Sequence, residues 1–188
     1  MTPTIYAILT ALAARSIETR EHSDRVAEYA VLTGGRLKLN DVDMATIYMA
    51  GKCHDVGKIG IPDSILFGVN PLTDEERKIV ETHSAIGEQI VLGAGGLFSD
   101  RAALAVRQHH ERFDGTGYPD GLQGEEISMI GRIVGIVDCF DALVSARTYR
   151  PALSKEEALS IMIKDSNHWD PDVLQEFLNV IIDTRSFK

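Results

Sequence analysis

Cysteine is scarce: two residues in 188, Cys53 and Cys139. Two thiols cannot build the stapled framework of a small secreted domain, and a chain of this length buries about 70% of the surface its unfolded form exposes without one. Cys53, beside His54, and Cys139, beside Asp138, are read as small buried residues in a reducing cytoplasm. No apolar run approaches the roughly 18–20 residues of a membrane span, and the N-terminus lacks the basic start and cleavage site of a signal peptide. Positive charge is short as well. Lys plus Arg number 19 against 28 Asp plus Glu, and the net charge of −9 argues against a module that coats nucleic acid. A small anionic substrate would need local help from metal ions or a few placed arginines. No internal repeat, low-complexity tract or long linker interrupts the chain, so the expectation is one cytoplasmic domain over 1–188.

Helical periodicity runs through most of what remains. Thr2-Pro3 reads as a cap and first-turn proline ahead of Ile5, Ile8, Leu9, Leu12 and Ala13. After a break near Ser16, a second helix carries Val26, Tyr29, Ala30 and Leu32 to Gly34-Gly35, and a third runs from Asn40 or Asp41 to His54-Asp55. Thr73-Asp74-Glu75-Glu76 has capping-box spacing, and Ile79, Val80, His83, Ile86, Gly87 and Ile90 are expected to line one face behind it. An alanine-rich helix over 99–111 ends at a turn-forming loop, Asp114 to Gly121. The apolar stretch 127–144, with Ile133, Val137, Phe140 and Val144, favours helix by its length. Ser154-Lys155-Glu156-Glu157 and Pro171 open the last two. The fold class is therefore all-α.

Of six histidines, five stand at helix ends or faces close to carboxylates: His22, His54, His83, His109 and His110. A neutral imidazole beside a carboxylate, as in His54-Asp55, can share or bridge divalent metals. Glu18 and His22 are four apart and so share a helix face. His109 and His110, as helix neighbours, diverge by roughly 100°, which lets them reach two metals or leaves one in solvent. Asp138 sits in an otherwise apolar run, where an unpaired carboxylate is expensive to bury; a metal, or an arginine such as Arg132, would relieve it. Nitrogen and oxygen ligands in this number, with no thiolate, exceed one structural zinc and fit two or three first-row metals. Two metals about 3.5–4 Å apart are a known device for phosphoester hydrolysis, with a hydroxide held between them as the nucleophile.

These residues fall in five ordered segments. They are Glu18 to Val26 with His22; His54-Asp55-Val56-Gly57-Lys58-Ile59-Gly60-Ile61-Pro62-Asp63; His83 with Gly87; His109 to Pro119; and Asp138-Cys139-Phe140-Asp141-Ala142-Leu143. In this order the chain resembles the HD-GYP subgroup of HD-domain phosphohydrolases over almost its whole length. The resemblance implies a bundle of about seven helices and metal-dependent hydrolysis of cyclic di-GMP to pGpG, GMP or both. Its metal ligands fall on His22, His54, Asp55, His83, His109, His110 and Asp138, and a glutamate at the place of Glu18 implies a third ion. The implied metals are iron or manganese first, with nickel, cobalt or zinc as alternatives. Asp55 and Lys58 are carried over as catalytic, Lys58 near the scissile phosphate. Arg147 and Arg150 match basic residues that hold the second phosphate, and Tyr118 is placed at the substrate.

Gly117-Tyr118-Pro119 is the GYP loop, implied to shape the site wall or to meet diguanylate cyclase (GGDEF) domains. A second copy of the chain is a further candidate partner. Arg20, Ser16, Thr148 and Trp169 depart from residues common in the family, and none is an implied ligand; His168 is read as structural or exposed. Three other readings stand beside the phosphodiesterase. One is a dinucleotide sensor that does not hydrolyse, which predicts missing ligands. Another is a hydrolase of cyclic GMP-AMP or a linear dinucleotide, since metals read phosphates. The last is a di-iron oxygenase.

Overall fold

The computed structural model describes residues 2–68, 70–97, 99–146 and 151–185. They form α1 (Pro3–Arg15), α2 (Ile17–Arg36), α3 (Asp41–Cys53), α4 (Asp63–Leu66), α5 (Asp74–Glu81), α6 (His83–Ala94), α7 (Ser99–Gln108), α8 (Met129–Val144), α9 (Lys155–Lys164) and α10 (Pro171–Arg185). Short 3-10 turns add Val56–Gly60, Gly124–Glu126 and Ser166–His168. The all-α expectation holds. Ten helical segments stand against the seven implied because α4 is a single turn, and because α1 and α2 abut at Ser16 and α5 and α6 at Thr82.

Local chemistry sets most of these boundaries. The Ser16 hydroxyl accepts from the Thr19 N–H and starts α2 where the break was expected, and the Asn40 side chain does the same for α3. Thr73 and Ser154 each close a capping box with the glutamate three residues on. The expected single face behind Thr73 is not formed. Thr82 Oγ1 donates to Ile79 O, His83 Nδ1 to Val80 O and Ser84 Oγ to Glu81 O, so three side chains take the carbonyls that would continue the helix. The chain breaks there, α5 buries no residue, and Ile79 stays exposed.

Helix α8 lies at the centre and is apolar nearly all round because it packs on α2, α3, α7, α9 and α10. Ile133, Val134, Ile136, Val137 and Phe140 are all buried there, with Phe140 edge-on to Tyr29 of α2 and Phe177 of α10. Each such side chain stabilises the fold by about 1.5–3 kcal/mol. Cys53 is buried as expected, whereas Cys139 is only half-buried. Among the described residues no helix is long and apolar enough to cross a membrane.

Candidate metal centre

The six ligand positions outside Glu18 and α8 come from four chain segments that converge beside that helix. His22 stands in the second turn of α2; His54 and Asp55 follow the last turn of α3; His83 opens α6; His109 and His110 follow the end of α7. That last placement corrects the expectation of a helix running to 111. The chain leaves the helix after Gln108, so the two rings need not diverge and instead lie 3.9 Å apart, both turned to the centre. Close backbone contact makes the convergence possible. A Cβ on Gly57 would stand 1.9 Å from the His83 carbonyl oxygen, so only glycine lets the turn after Asp55 rest on the start of α6.

Two imidazole groups result, His22 and His54 with Asp55, and His83 with His109 and His110, each with its ligand atoms within 4.8 Å of one another. The carboxylates join them. Asp55 Oδ2 lies 3.5 Å from His54 Nε2 and 3.8 Å from His22 Nε2, while Oδ1 lies 3.7 Å from His83 Nε2. Asp138 Oδ1 lies 3.0 Å from His22 Nε2 and 3.7 Å from His54 Nε2, while Oδ2 faces His110 Nδ1 at 3.9 Å. Each carboxylate thus turns one oxygen to one group and the other oxygen to the second. Arg132, the alternative partner for Asp138, is engaged elsewhere, with Asp170 at 2.6 Å.

The donor set fits divalent metal ions. His54, His83 and His109 donate their Nδ1–H to the carbonyls of Gly51, Val80 and Val106, which commits each Nε2 lone pair to the centre. His83 Nε2 and His109 Nε2 then face each other at 3.3 Å as two acceptors with no hydrogen between them, an arrangement that a cation relieves. Burial, aided by the neighbouring imidazoles, holds His109 well below the ordinary histidine range; burial also lowers His83 and brings His110 to about 3. Both Asp55 and Asp138 are held well below the ordinary carboxylate range despite burial, which opposes their charge: Lys58 and the neighbouring imidazoles outweigh it at Asp55, and the hydrogen bond to His22 with the neighbouring imidazoles outweighs it at Asp138. His22 instead moves up, to about 9: burial opposes the change, but hydrogen bonds to Asp138 and Asp141 override it.

Other predicted residues fall as follows. Lys58 Nζ lies 2.7 Å from Asp55 Oδ2 at the rim of the centre. Glu18 is exposed in the first turn of α2, outside both groups. Tyr118 lies against His110, with ring centroids 4.7 Å apart, and its N–H donates to the His110 carbonyl. A Cβ on Gly117 would stand 2.3 Å from the Arg112 nitrogen, so the GYP loop backs directly onto the turn that carries the two histidines. His168 faces Asp114 at 3.6 Å, at the base of the same loop. Arg147 and Arg150 lie outside the described residues.

Two features went unassigned in the sequence. Glu111 is buried and accepts the N–H groups of Asp120 and Leu122, which pins the GYP loop. Asp141 accepts from Arg25 through both oxygens, at 2.7 and 2.8 Å, and from His22 Nδ1 at 2.7 Å. For Asp141 the signal was spacing: Arg25 follows His22, and Asp141 follows Asp138, by three helical residues, which keeps each pair on one face.

A profile described as HD domain matches residues 8–173. The chain belongs to the HD-domain family. Among relatives of this HD domain, a cyclic di-GMP phosphodiesterase of Vibrio cholerae is 40% identical over 174 residues, which are 89% of this chain and 35% of that protein. A 3'3'-cGAMP-specific phosphodiesterase of the same species is 39% identical over 175 residues, 90% of this chain and 37% of that one. The HD domain therefore spans little more than a third of these relatives' length. The PgpH HD domain of L. monocytogenes in complex with cyclic-di-AMP superposes with a TM-score of 0.67 at 19% identity, over 95% of this chain and 94% of that one, a likeness of fold. The HD-GYP resemblance of the motifs stands within this family.

Proposed function

We propose that residues 1–188 form one catalytic domain, a metal-dependent phosphodiesterase that hydrolyses cyclic di-GMP to pGpG, GMP or both. One observation carries the reading: Asp55 and Asp138 each span the two imidazole groups, which is what a pair of metals held side by side requires. His22, His54 and Asp55 would hold one ion; His83, His109 and His110 would hold the other, with Asp138 between. Glu18 is proposed for a third ion, reached by turning its exposed side chain inward. Iron or manganese suits this nitrogen and oxygen set. When bound, the ions supply Lewis-acid stabilisation of phosphoryl charge and an attacking water of lowered pKa.

The chain's own side chains do the rest. Lys58, at the rim beside Asp55, presents an ammonium to the scissile phosphate, and Arg147 and Arg150 hold the second one through bidentate contacts. Tyr118 keeps its phenolic proton, because burial and the carboxylates of Asp138, Glu81 and Asp55 push its pKa upward, so it donates to substrate. The exposed Pro119 and Asp120 at the tip of the GYP loop are the proposed surface for GGDEF domains, and a second copy of the chain is the other proposed partner. The proposed location is the cytoplasm. None of the seven central ligand positions is lost, which speaks against a module that only senses. Hydrolysis of cyclic GMP-AMP is the second reading, favoured by the 39% identity to the 3'3'-cGAMP-specific relative.

Product chromatography tests the proposal. Protein purified without oxygen and loaded with ferrous iron or manganese is incubated with cyclic di-GMP, and in parallel with cyclic GMP-AMP, beside an Asp55→Ala control. Loss of metal terms worth several kcal/mol, at about 1.4 kcal/mol per decade, slows the control by roughly a thousandfold or more. Conversion by the parent alone supports the assignment, with GMP as product supporting a working third ion and arrest at pGpG a binuclear centre. A metal-loaded parent that leaves cyclic di-GMP intact overturns it, and turnover of cyclic GMP-AMP in its place selects the second reading.

A further inference from the structure

We infer that Asp141, clamped by Arg25 and Ser145, fixes the tautomer of His22 and through it the affinity of the metal position formed by His22, His54 and Asp55. The inference rests on the metal-centre reading above and on no particular substrate. Three of the imidazoles are oriented by the backbone, each donating Nδ1–H to the carbonyl three residues earlier. His22 stands inside α2, where the carbonyls serve the helix and that of Thr19 also accepts from Ser23 Oγ. Its orientation must come from another element. Asp141 of α8 supplies it, with Oδ2 2.7 Å from His22 Nδ1.

Asp141 is not itself placed as a ligand. Arg25 Nε donates to Oδ1 at 2.7 Å, and Oδ2 takes Arg25 Nη2 at 2.8 Å and Ser145 Oγ at 3.2 Å besides His22. Ser145 Oγ also accepts from Arg25 Nη2 at 3.0 Å, which closes a ring of contacts across the two helices. Asp141 is 1% exposed, and both of its oxygens are engaged by Arg25, Ser145 and His22. Holding an Nδ1–H leaves His22 Nε2 free to ligate once a metal arrives. Asparagine has the same shape but can turn an N–H toward Nδ1. That favours the tautomer whose hydrogen points from Nε2 into the metal position.

Calorimetric titration of the whole chain with Mn2+ alone, joined to unfolding of the chelator-treated protein, tests the inference. For Asp141→Asn, one class of Mn2+ sites is expected to weaken by about 10–100-fold while the other keeps its affinity. Arg25→Gln, which leaves the carboxylate but loosens it, is expected to weaken the same class to a smaller extent, and it carries the test by itself where the Asn variant does not fold. A role confined to tying α2 to α8 would lower the unfolding midpoint of the metal-free protein and leave both affinities unchanged; that result overturns the inference. A parent that binds no Mn2+ overturns the metal centre, and the relay with it.

Discussion

His22 is the residue whose charge most directly links fold, metal and pH. In the metal-free protein burial disfavours its protonation, yet Asp138 and Asp141 raise it from 6.5 to about 9. A folded value above the ordinary one gives stabilisation that is complete below pH 6.5 and is lost as pH rises through about 9, amounting to at most about 3 kcal/mol. His83, His109 and His110 act in the opposite sense below 6.5, since burial lowers them and acid favours the unfolded chain. Urea unfolding in the presence of chelator should therefore show greatest stability near pH 6.5 and a decline toward pH 9. A stability that is flat across that window would contradict the assignment. Metal uptake runs the other way: one proton must leave His22 Nε2, so affinity for Mn2+ rises across the same interval, with proton release measurable by titration in buffers of different ionisation heat.

Between helices the decisive contacts are those of backbone on backbone. Gly57→Ala forces a Cβ against the His83 carbonyl, where the nearest atom would be only 1.9 Å away, so the turn after Asp55 must withdraw from α6. The expected cost is about 3 kcal/mol or more in chemical unfolding, together with loss of Mn2+ from the His83 side, because Asp55 no longer spans both groups. Ser154→Ala removes a capping box remote from the centre and should cost about 1 kcal/mol with Mn2+ affinities unchanged. Helix starts were the most legible features of the sequence: Thr73 and Ser154 close the capping boxes their spacing predicts, and helices begin at the expected break at Ser16 and after Asn40. The break at Thr82 and the early end of α7 were not legible. Both depend on tertiary demands, since His83, His109 and His110 reach the centre only from places where the helix stops.

For the molecule as a whole, the candidate ligand positions could be named from the order of the motifs, but how the carboxylates sit between them could not. Periodicity put His22, His83 and Asp138 on helices, and nothing in a linear pattern says that Asp55 and Asp138 each divide their oxygens between two imidazole groups. The Arg25–Asp141 clamp was hidden for the same reason, because its partners lie 116 residues apart and meet only when α2 packs on α8. Anomalous diffraction from crystals grown with Mn2+ shows whether Asp55 and Asp138 hold two metals side by side. The expected map has two strong peaks about 3.5–4 Å apart, one at His22 and His54 and one at His83, His109 and His110, with Asp55 and Asp138 touching both. A single peak, or peaks that either carboxylate fails to join, would contradict the account.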